Sequence, residues 1–285
     1  MDNEKIFSSK KDLLNFLAIR ESFLYPSFSK KYFEKEIPKK SNGLRKIRPP
    51  RSSLKRIQKF VLKNILSKCS QLPCVFGLSR GKSIVDNAKV HQKNFMNKLV
   101  NLDIQDFFPN ITKKQVLKVF QDIGFNKENA SILTKICTVD NYLPQGAPTS
   151  PCLASLVCVK MDKEIYQFCK KRNLEYSRYF DDISISGEDI SNENIQRIEN
   201  IIQKHNFSCN AEKKKTYDSG KNKYINGVLI TESGLSVTDV YKSEIEEAFE
   251  ISQTEKSKRV FIGKYGFYLY VNKDEATKFL KKLRN

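Results

Sequence analysis

The segment YSRYFDDISIS at 176–186 constrains the fold of this chain more than any other stretch. Apolar or aromatic residues flank Asp181 and Asp182 on both sides, and Ile183 and Ile185 alternate with serines. Alternation with a period of two is typical of a β-strand with one buried face. The segment therefore predicts a β-hairpin that carries two carboxylates at its tip.

Adjacent carboxylates repel each other, and a divalent cation is an effective way to offset that repulsion. Mg²⁺ prefers oxygen ligands and is typically held by one or two carboxylates together with substrate phosphates. Asp103 lies near the end of the apolar run KLVNLDI at 98–104, which predicts a strand. Three carboxylates on neighbouring strands predict a two-metal site for phosphoryl transfer. An isolated Asp-Asp pair is more often a surface turn, but the apolar flanks favour the metal site.

The charge of the chain indicates a polyanionic partner. Lys and Arg number 51 against 32 acidic residues, which gives a formal net charge of +19. Between Lys30 and Lys63, thirteen residues are basic and two are acidic. A solvated basic face is the plain alternative, but Tyr32 and Phe33 lie among these cations. Such a mixture is typical of nucleic-acid surfaces, where cations pair with phosphates and rings stack on bases.

The pattern of elements predicts an α+β fold, because strands and helices alternate without the regular rhythm of a doubly wound sheet. Helices are predicted at 52–68, 112–122, 127–138, 150–172, about 190–205 and within 239–285, and residues 10–36 are predicted as an interrupted helical stretch. Residues 223–230 and 235–237 suggest a second hairpin. The sequence shows neither a membrane-spanning apolar run nor a signal segment, so we expect a cytoplasmic protein.

Three motifs, in order along the chain, resemble those of reverse transcriptases. Residues 179–182 match the YxDD motif, LDIQDFF at 102–108 matches the palm strand with its first acid, and LPQGAPTSP at 143–151 matches the PQG motif. The resemblance extends over roughly residues 40–235. It implies an RNA-directed DNA polymerase, a nucleotidyltransferase, with a right-hand fold and a small antiparallel palm sheet. The implied domains are fingers at 1–97 with 112–142, palm at 98–111 and 143–235, and thumb at 236–285.

The resemblance also assigns site residues. Asp103, Asp181 and Asp182 would be the catalytic metal ligands, with the backbone of Ile104 beside them. The cofactor would be a pair of Mg²⁺ ions, with Mn²⁺ as a substitute. Phe108 would be the gate residue whose ring excludes a ribose 2′-hydroxyl, and Gln145 and Gly146 of the PQG motif would bind the nucleotide. The finger cations that would bind the triphosphate are Arg45, Lys46, Arg48 and Arg80. For each cation, contact with template phosphates or plain solvation remains open as an alternative role. For Phe108, the open alternative is a position in the core.

A narrower resemblance is to retron reverse transcriptases of bacteria. Asn87-Ala88-Lys89-Val90-His91 matches their NAxxH pattern, and for His91 a structural role or contact with RNA remains open. Residues 225–227 read Ile-Asn-Gly where these enzymes usually carry VTG, and Phe180 stands where bacterial relatives often have alanine. The residues implied in primer or RNA binding are Asn87, His91, Tyr179, Phe180, Lys215, Gly263, Tyr265, Lys281 and Lys282.

The implied function is the copying of part of a structured noncoding RNA into a small single-stranded DNA (msDNA), joined to the RNA through a 2′-hydroxyl-primed branch, in defence against phage. The implied partners are that RNA, the RNA–DNA hybrid, dNTPs and a toxin or effector protein. No association with a membrane is expected. Two alternatives remain open. One is a defence-associated or abortive-infection reverse transcriptase that is not a retron enzyme. The other is a catalytically inactive RNA-binding scaffold, which the intact acids disfavour.

Overall fold

The computed structural model of the chain describes residues 7, 9–25, 27–38, 43–78, 82–252 and 254–284. Helices and strands are mixed along the chain without a regular alternation, so the predicted α+β class is confirmed. Two compact units form. The first comprises residues 1–73, 105–163 and 202–208, and the second comprises 74–104, 164–201 and 209–285. The boundaries of fingers, palm and thumb stay a prediction.

Most helices follow the predicted positions, but the helix at 84–92 was not predicted, and only residues 10–16 of the stretch 10–36 form an α-helix. In chain order they are α1 (Lys10–Phe16), α2 (Ser52–Asn64), α3 (Ile84–Gln92), α4 (Lys113–Ile123), α5 (Lys127–Cys137), α6 (Ser150–Lys170), α7 (Asn192–Lys204), α8 (Asp239–Glu250), α9 (Glu255–Val271) and α10 (Lys273–Arg284). Within the described ranges, none of them is both long and apolar enough to cross a lipid bilayer.

The strands are short, and they build three sheets. In chain order they are β1 (Lys35–Pro38), β2 (Leu44–Ile47), β3 (Val75–Phe76), β4 (Lys98–Asp103), β5 (Glu175–Tyr179), β6 (Asp182–Gly187), β7 (Lys215–Tyr217), β8 (Lys223–Ile225), β9 (Val228–Thr231) and β10 (Gly234–Ser236). The largest sheet has the order β3-β5-β6-β4-β7 and is antiparallel except where β3 pairs with β5. The small, mainly antiparallel sheet expected of the family is therefore present.

Within the first unit, local sequence signals account for the helix boundaries. Thr112 caps α4 in a reciprocal arrangement with Gln115, and Gly124 ends that helix with a φ of 118°. Helix α2 buries Leu54 and Val61, as its apolar stripe predicts. It ends at Asn64 rather than at residue 68, because the chain tightens there into a 3₁₀ turn at Leu66–Lys68.

Within the second unit, the stretch 223–237 departs from the predicted hairpin. It forms a three-stranded sheet of order β10-β9-β8, and its first turn lies at Asn226 and Gly227, inside a segment predicted to be one strand. Both residues have positive φ, 48° and 93°, as tight hairpin turns require. Helix α3 packs on this small sheet, and Val85 and Ala88 of that helix join the core that it shares with β8, β9 and the C-terminal helices.

Candidate active site

Strand pairing brings two of the predicted catalytic acids face to face. Strands β4 and β6 are antiparallel, and their register places Asp103 directly opposite Asp182. Directly opposed residues of an antiparallel pair have Cβ atoms roughly 4.5–5.5 Å apart. The apolar residues that precede Asp103, Leu99 and Leu102, are almost fully buried, so the strand that carries the acid is anchored in the core. All three predicted acids belong to the second unit.

The third acid lies in the turn between β5 and β6. Tyr179 pairs with Asp182, which leaves Phe180 and Asp181 as the two turn residues of the hairpin. The carbonyl of Asp181 accepts a hydrogen bond of 2.9 Å from the backbone amide of Ile104, the residue that follows Asp103. The hairpin tip is thereby tied to the end of β4. The predicted hairpin with carboxylates at its tip is confirmed, and Asp103 lies beside it.

The conformation of this tip depends on contacts from outside the turn. Phe180 has a φ of 56°, in the left-handed region that costs a non-glycine residue about 1–2 kcal/mol. Arg178 is fully buried, and its guanidinium donates a 2.7 Å hydrogen bond to the carbonyl of Phe180. The rings of Tyr179 and Phe180 pack edge to face, with centroids 4.8 Å apart. Gly77 lies against both rings, where an added Cβ would come within 2.8 Å of Tyr179.

The acids are electrostatically coupled. The pKa of Asp182 is raised to about 7, first by burial and then by the negative charges of Asp181 and Asp103. Lys213 opposes this rise: its ammonium lies 2.9 and 3.0 Å from the two carboxylate oxygens of Asp103. The three acids thus bring like charges together at this point of the sheet, and Lys213 offsets part of that charge.

The residues at this point fit a divalent cation. The donors are carboxylate oxygens, which Mg²⁺ and Mn²⁺ prefer, and a bound cation would offset the like charges of the acids. In the part of the chain that the structure describes, no three acidic, histidine or cysteine side chains already converge on one point. Lys213 instead contacts both oxygens of Asp103, and its side chain is 52% exposed.

Two asparagines connect to the acids. The sequence analysis assigned Asn87 to primer or RNA binding and gave Asn226 no role beside the acids. Asn226 donates a 2.7 Å hydrogen bond from Nδ2 to Oδ2 of Asp182. Asn87 donates one of the same length to Oδ1 of Asn226. The Asn-Gly dipeptide at 226–227 is a recognised turn signal, but a turn signal does not reveal which side chain the turn will face. Lys213 was missed for the same reason, since the lysine run 213–215 carries no mark of its partner.

The structure assigns the NAxxH residues a structural position. Both Asn87 and His91 are fully buried. The ring nitrogens of His91 lie 2.7 Å from the hydroxyl of Ser186 and 2.8 Å from that of Ser177. A side chain without exposed surface cannot contact RNA in this conformation. The prediction of RNA contact by these two residues is therefore replaced by the structural alternative, because their hydrogen-bond capacity is directed into the protein.

Several of the predicted nucleotide-binding residues lie in the first unit. Phe107 is only 3% exposed and packs in the core, whereas Phe108 is half-buried, with ring centroids 5.4 Å apart. The core role left open for a phenylalanine thus falls on Phe107. Gly146 has a φ of 104°, and an added Cβ there would lie 3.5 Å from the backbone of Pro49. Gln145 is half-buried, and its carbonyl accepts a 2.7 Å hydrogen bond from the amide of Arg48.

The predicted finger cations differ in how they are engaged. The guanidinium of Arg48 pairs with Glu34 and Asp140, and it also lies 3.2 Å from the hydroxyl of Tyr142. These contacts give Arg48 a structural role that the sequence did not indicate. Arg45 and Lys46 are exposed on β2, and their binding of a triphosphate stays a prediction. Arg80 lies outside the described residues.

The residues predicted to bind primer or RNA near the C-terminus are accessible to different degrees. Lys281 and Lys282 are exposed on α10, and Lys215 is exposed on β7. Tyr265 is half-buried, and its ring stacks on Phe261 with centroids 5.7 Å apart. An added Cβ at Gly263 would meet nothing within 4 Å, so this face of α9 is open. The roles of these residues in RNA binding stay predictions.

Known proteins resemble this chain in sequence and in fold. The family model described as reverse transcriptase (RNA-dependent DNA polymerase) matches residues 37–248. The retron Ec86 reverse transcriptase of Escherichia coli is 40% identical over 178 residues, which cover 62% of this chain and 53% of that protein. The retron Se72 reverse transcriptase of Salmonella heidelberg is 32% identical over 221 residues, covering 75% of this chain and 55% of that protein.

This chain thus spans about half the length of these relatives. Its fold is similar to that of telomerase from Candida albicans, solved with a fragment of telomeric RNA. The TM-score is 0.56 at 10% identity, over 92% of this chain and 58% of that one. Because the family match spans well over half of the chain, the chain belongs to the reverse transcriptase family, in which it resembles the bacterial retron enzymes.

Proposed function

We propose that this protein is an RNA-directed DNA polymerase of retron type, with Asp103, Asp181 and Asp182 as its catalytic carboxylates. The observation that carries the proposal is the pairing of Asp103 with Asp182 across β4 and β6, beside the turn that holds Asp181. Separate stretches of the chain supply these acids, and the site has no evident structural need for so much like charge. A carboxyl group whose pKa is raised by burial and by neighbouring acids, as that of Asp182 is, is typical of functional sites.

The chemistry that the site supports is phosphoryl transfer from a dNTP to a hydroxyl at the end of a growing strand. A bound pair of divalent cations would activate the attacking hydroxyl and stabilise the leaving pyrophosphate. The chain itself contributes positioning. Strand β4 orients Asp103, the turn orients Asp181, and Asn226 holds one oxygen of Asp182. Catalysis of this kind rests mainly on positioning and electrostatics.

Selection of deoxynucleotides is assigned to Phe108 under this proposal. Its half-buried ring, beside the core residue Phe107, is accessible enough to contact a ligand. A ring that fills the space of a ribose 2′-hydroxyl rejects ribonucleotides by steric exclusion. Gln145 and Gly146 would bind the incoming nucleotide, and the φ of 104° at Gly146 is one that glycine adopts readily.

The finer function that we propose is synthesis of a small single-stranded DNA from part of a structured noncoding RNA, primed by a 2′-hydroxyl and joined to the RNA. Its context would be defence against phage, with an effector protein as a further partner. Support comes from the NAxxH residues and from the retron reverse transcriptases that the chain resembles. The net charge of +19 and the exposed Lys281 and Lys282 support binding of nucleic acid.

The decisive experiment is primer extension by the full chain on an RNA template with dNTPs and Mg²⁺. Asp181→Asn and Asp182→Asn should each lower incorporation by at least about 100-fold, because each removes a carboxylate that would hold the divalent cations. RNA binding, measured on filters, should remain. Asp189→Asn is the matched control, since Asp189 is exposed and follows the end of β6 opposite to the one that carries Asp182.

Full incorporation by either acid variant would contradict the catalytic assignment. An inactive wild-type protein that still binds RNA would instead support the scaffold alternative. For the finer proposal, nucleic acid that copurifies with the protein from its native host should be sequenced. A covalent RNA–DNA branch is expected, and unbranched cDNA would favour a reverse transcriptase of another defence system.

A further inference from the structure

A relay of three side chains connects helix α3 to the catalytic carboxylates. Asn87 on α3 contacts Asn226 at the β8–β9 turn, and Asn226 contacts Asp182 at the start of β6. Both hydrogen bonds are 2.7 Å long. The three residues lie far apart in the sequence, so the relay exists only because the second unit folds α3, the small sheet and the large sheet together.

The chemistry of the carboxylate sets the direction of the relay. A carboxylate that binds a metal ion is ionised and only accepts hydrogen bonds, so Asn226 must present its NH₂ group to Asp182 when Asp182 serves as a ligand. The carbonyl oxygen of Asn226 then faces Asn87, which must in turn present its own NH₂ group. Amide orientations are assigned from such networks, and here one orientation satisfies both contacts.

This orientation leaves a cost at the far end of the relay. The side-chain oxygen of Asn87 is buried and has no hydrogen-bond partner among the described residues. An unsatisfied buried polar atom destabilises the folded state. Turning the amide over would give the oxygen no benefit, because two carbonyl oxygens would then face each other. The amide of Asn87 thus takes the orientation that the hydrogen bond from Asn226 to Asp182 requires, although this leaves its own oxygen without a partner.

Helix α3, which carries Asn87, is held in place at its N-terminus and in the core. Ser83 and Asp86 form a reciprocal cap at its start, and Ala88 is fully buried in the core. His91, one turn beyond Asn87, holds Ser177 of β5 and Ser186 of β6. One helix therefore contacts the hairpin that carries the acids and, through Asn87, the turn that supports them.

We propose that Asn226 is a positioning residue for Asp182 and that Asn87 orients Asn226. By holding Oδ2, Asn226 fixes the side-chain rotamer of Asp182 and directs Oδ1 as a ligand for a divalent cation. The Asn-Gly turn suits this task, because asparagine tolerates the left-handed φ of 48° and still carries an amide that reaches the neighbouring strand. The proposal rests on the function proposed above for the three acids.

The test is direct binding of Mn²⁺ to the full chain, followed by electron paramagnetic resonance without nucleotide or primer. Asn226→Gly removes the amide and keeps a residue suited to positive φ, so the turn is retained. We expect its Mn²⁺ affinity to fall by about 10-fold, the usual effect of losing a group that orients a metal ligand. Asn173→Gly is the matched control, because Asn173 is exposed and has a φ of 54° in the turn before β5.

A second variant separates orientation from general loosening. Asn87→Ala alone should also weaken Mn²⁺ binding, by less than Asn226→Gly. Added to Asn226→Gly, it should cause no further loss, since its effect on the metal passes through the amide that is already gone. Additive losses from the two substitutions would overturn the relay. So would an Asn226→Gly protein whose Mn²⁺ affinity equals that of the wild type and of Asn173→Gly.

Thermal unfolding of each variant identifies any protein that fails to fold, and the remaining variant then decides the proposal. Failure of the proposed function gives a different result. If the wild type binds Mn²⁺, and Asp182→Asn abolishes that binding, but no dNTP is incorporated, the polymerase proposal is wrong. The positioning role is then judged on metal affinity alone.

Discussion

Two of the hairpins in the second unit have a two-residue turn that begins at a residue of positive φ, and they hold that residue in place by different means. The turn at Phe180-Asp181 joins β5 to β6, and the turn at Asn226-Gly227 joins β8 to β9. The first residue of each has a positive φ, 56° for Phe180 and 48° for Asn226. Asparagine followed by glycine favours such a turn locally, whereas phenylalanine does not.

The difference shows where tertiary contacts replace local preference. The Asn-Gly turn needs no support for its backbone, which leaves the amide of Asn226 available to Asp182. The Phe-Asp turn is held from outside by Arg178 and by the tight packing of its rings on Gly77. Backbone strain that is maintained in this way concentrates at functional sites. The hairpin with the acids is therefore the one whose shape other residues must enforce.

Each of the two hairpins has a buried cation, and replacing these cations tests whether the acid-bearing turn depends on outside support. Arg178→Met removes the charged donor to the carbonyl of Phe180 and should lower the free energy of unfolding by about 2–3 kcal/mol. It should also lower primer extension by more than the loss of folded protein explains, because the acid-bearing turn loses its support. Urea denaturation and extension assays on the same preparation measure both effects.

Lys223→Met is the matched control for Arg178→Met. Lys223 is also fully buried, but it donates to backbone carbonyls at the base of its hairpin, including that of Lys221 at 3.0 Å. We expect a comparable loss of stability, with primer extension per folded molecule close to that of the wild type. Equal losses of extension in both variants would mean that the first turn has no special dependence on its cation.

Acid should weaken the anchor of the first hairpin. Burial, with a smaller contribution from the charge of Lys93, lowers the pKa of His91 from 6.5 to about 3. Between these values the unfolded chain binds a proton that the folded chain excludes, so stability falls as the pH drops below about 6.5. At pH 5 the loss should be about 2 kcal/mol, given roughly 1.4 kcal/mol for each pH unit.

The measurement is the difference in unfolding free energy between pH 7.5 and pH 5, for the wild type and for His91→Gln. Glutamine does not titrate, so the variant should lose less stability on acidification, although it is weaker at pH 7.5. Other groups titrate equally in both proteins and cancel in the difference. The same pH dependence in both proteins would show that His91 is not the acid-sensitive anchor.

The smallest expected effect is a difference in stability between alanine substitutions at two glycines of nearly equal φ. Gly77 has a φ of 89° and Gly227 one of 93°, so alanine meets similar backbone strain at both. An added Cβ would come within 2.8 Å of Tyr179 at position 77, but no closer than 3.8 Å to any atom at position 227. Gly77→Ala should therefore lower the free energy of unfolding by about 1 kcal/mol more than Gly227→Ala, measured by urea denaturation. Equal losses would show that the rings at the acid-bearing turn move aside without cost.

Much of the fold could be predicted because its signals are local. The alternation around Ile183 and Ile185 indicated β6, and the apolar run before Asp103 indicated β4. The stretch 223–230 was wrongly predicted as one strand, although Asn226-Gly227 marks a turn within it. Alternating apolar residues on both sides obscured that turn, since periodicity alone cannot distinguish one strand from two short ones.

The site was predictable only in part, for a related reason. The carboxylates were recognisable as residue types in apolar surroundings, and the motif order indicated that they act together. The partners Asn226, Asn87 and Lys213 were not, because ordinary polar residues gain such roles only from what faces them. Likewise, the ion pairs of Arg48 with Glu34 and Asp140 depend on contacts between distant stretches of chain.

The sequence alone determined the family of this chain, the strands that carry its acids and most of its longer helices, and the three acids on which its proposed chemistry depends. Those features can be recognised from the periodicity of apolar residues and from short motifs, because both depend on residues close together in the sequence. Only the tertiary structure decided that Asp103 faces Asp182, that a buried arginine supports Phe180, and that an asparagine relay reaches the site from α3. Strand register and side-chain partners depend on how distant segments pack, and no local pattern records that choice.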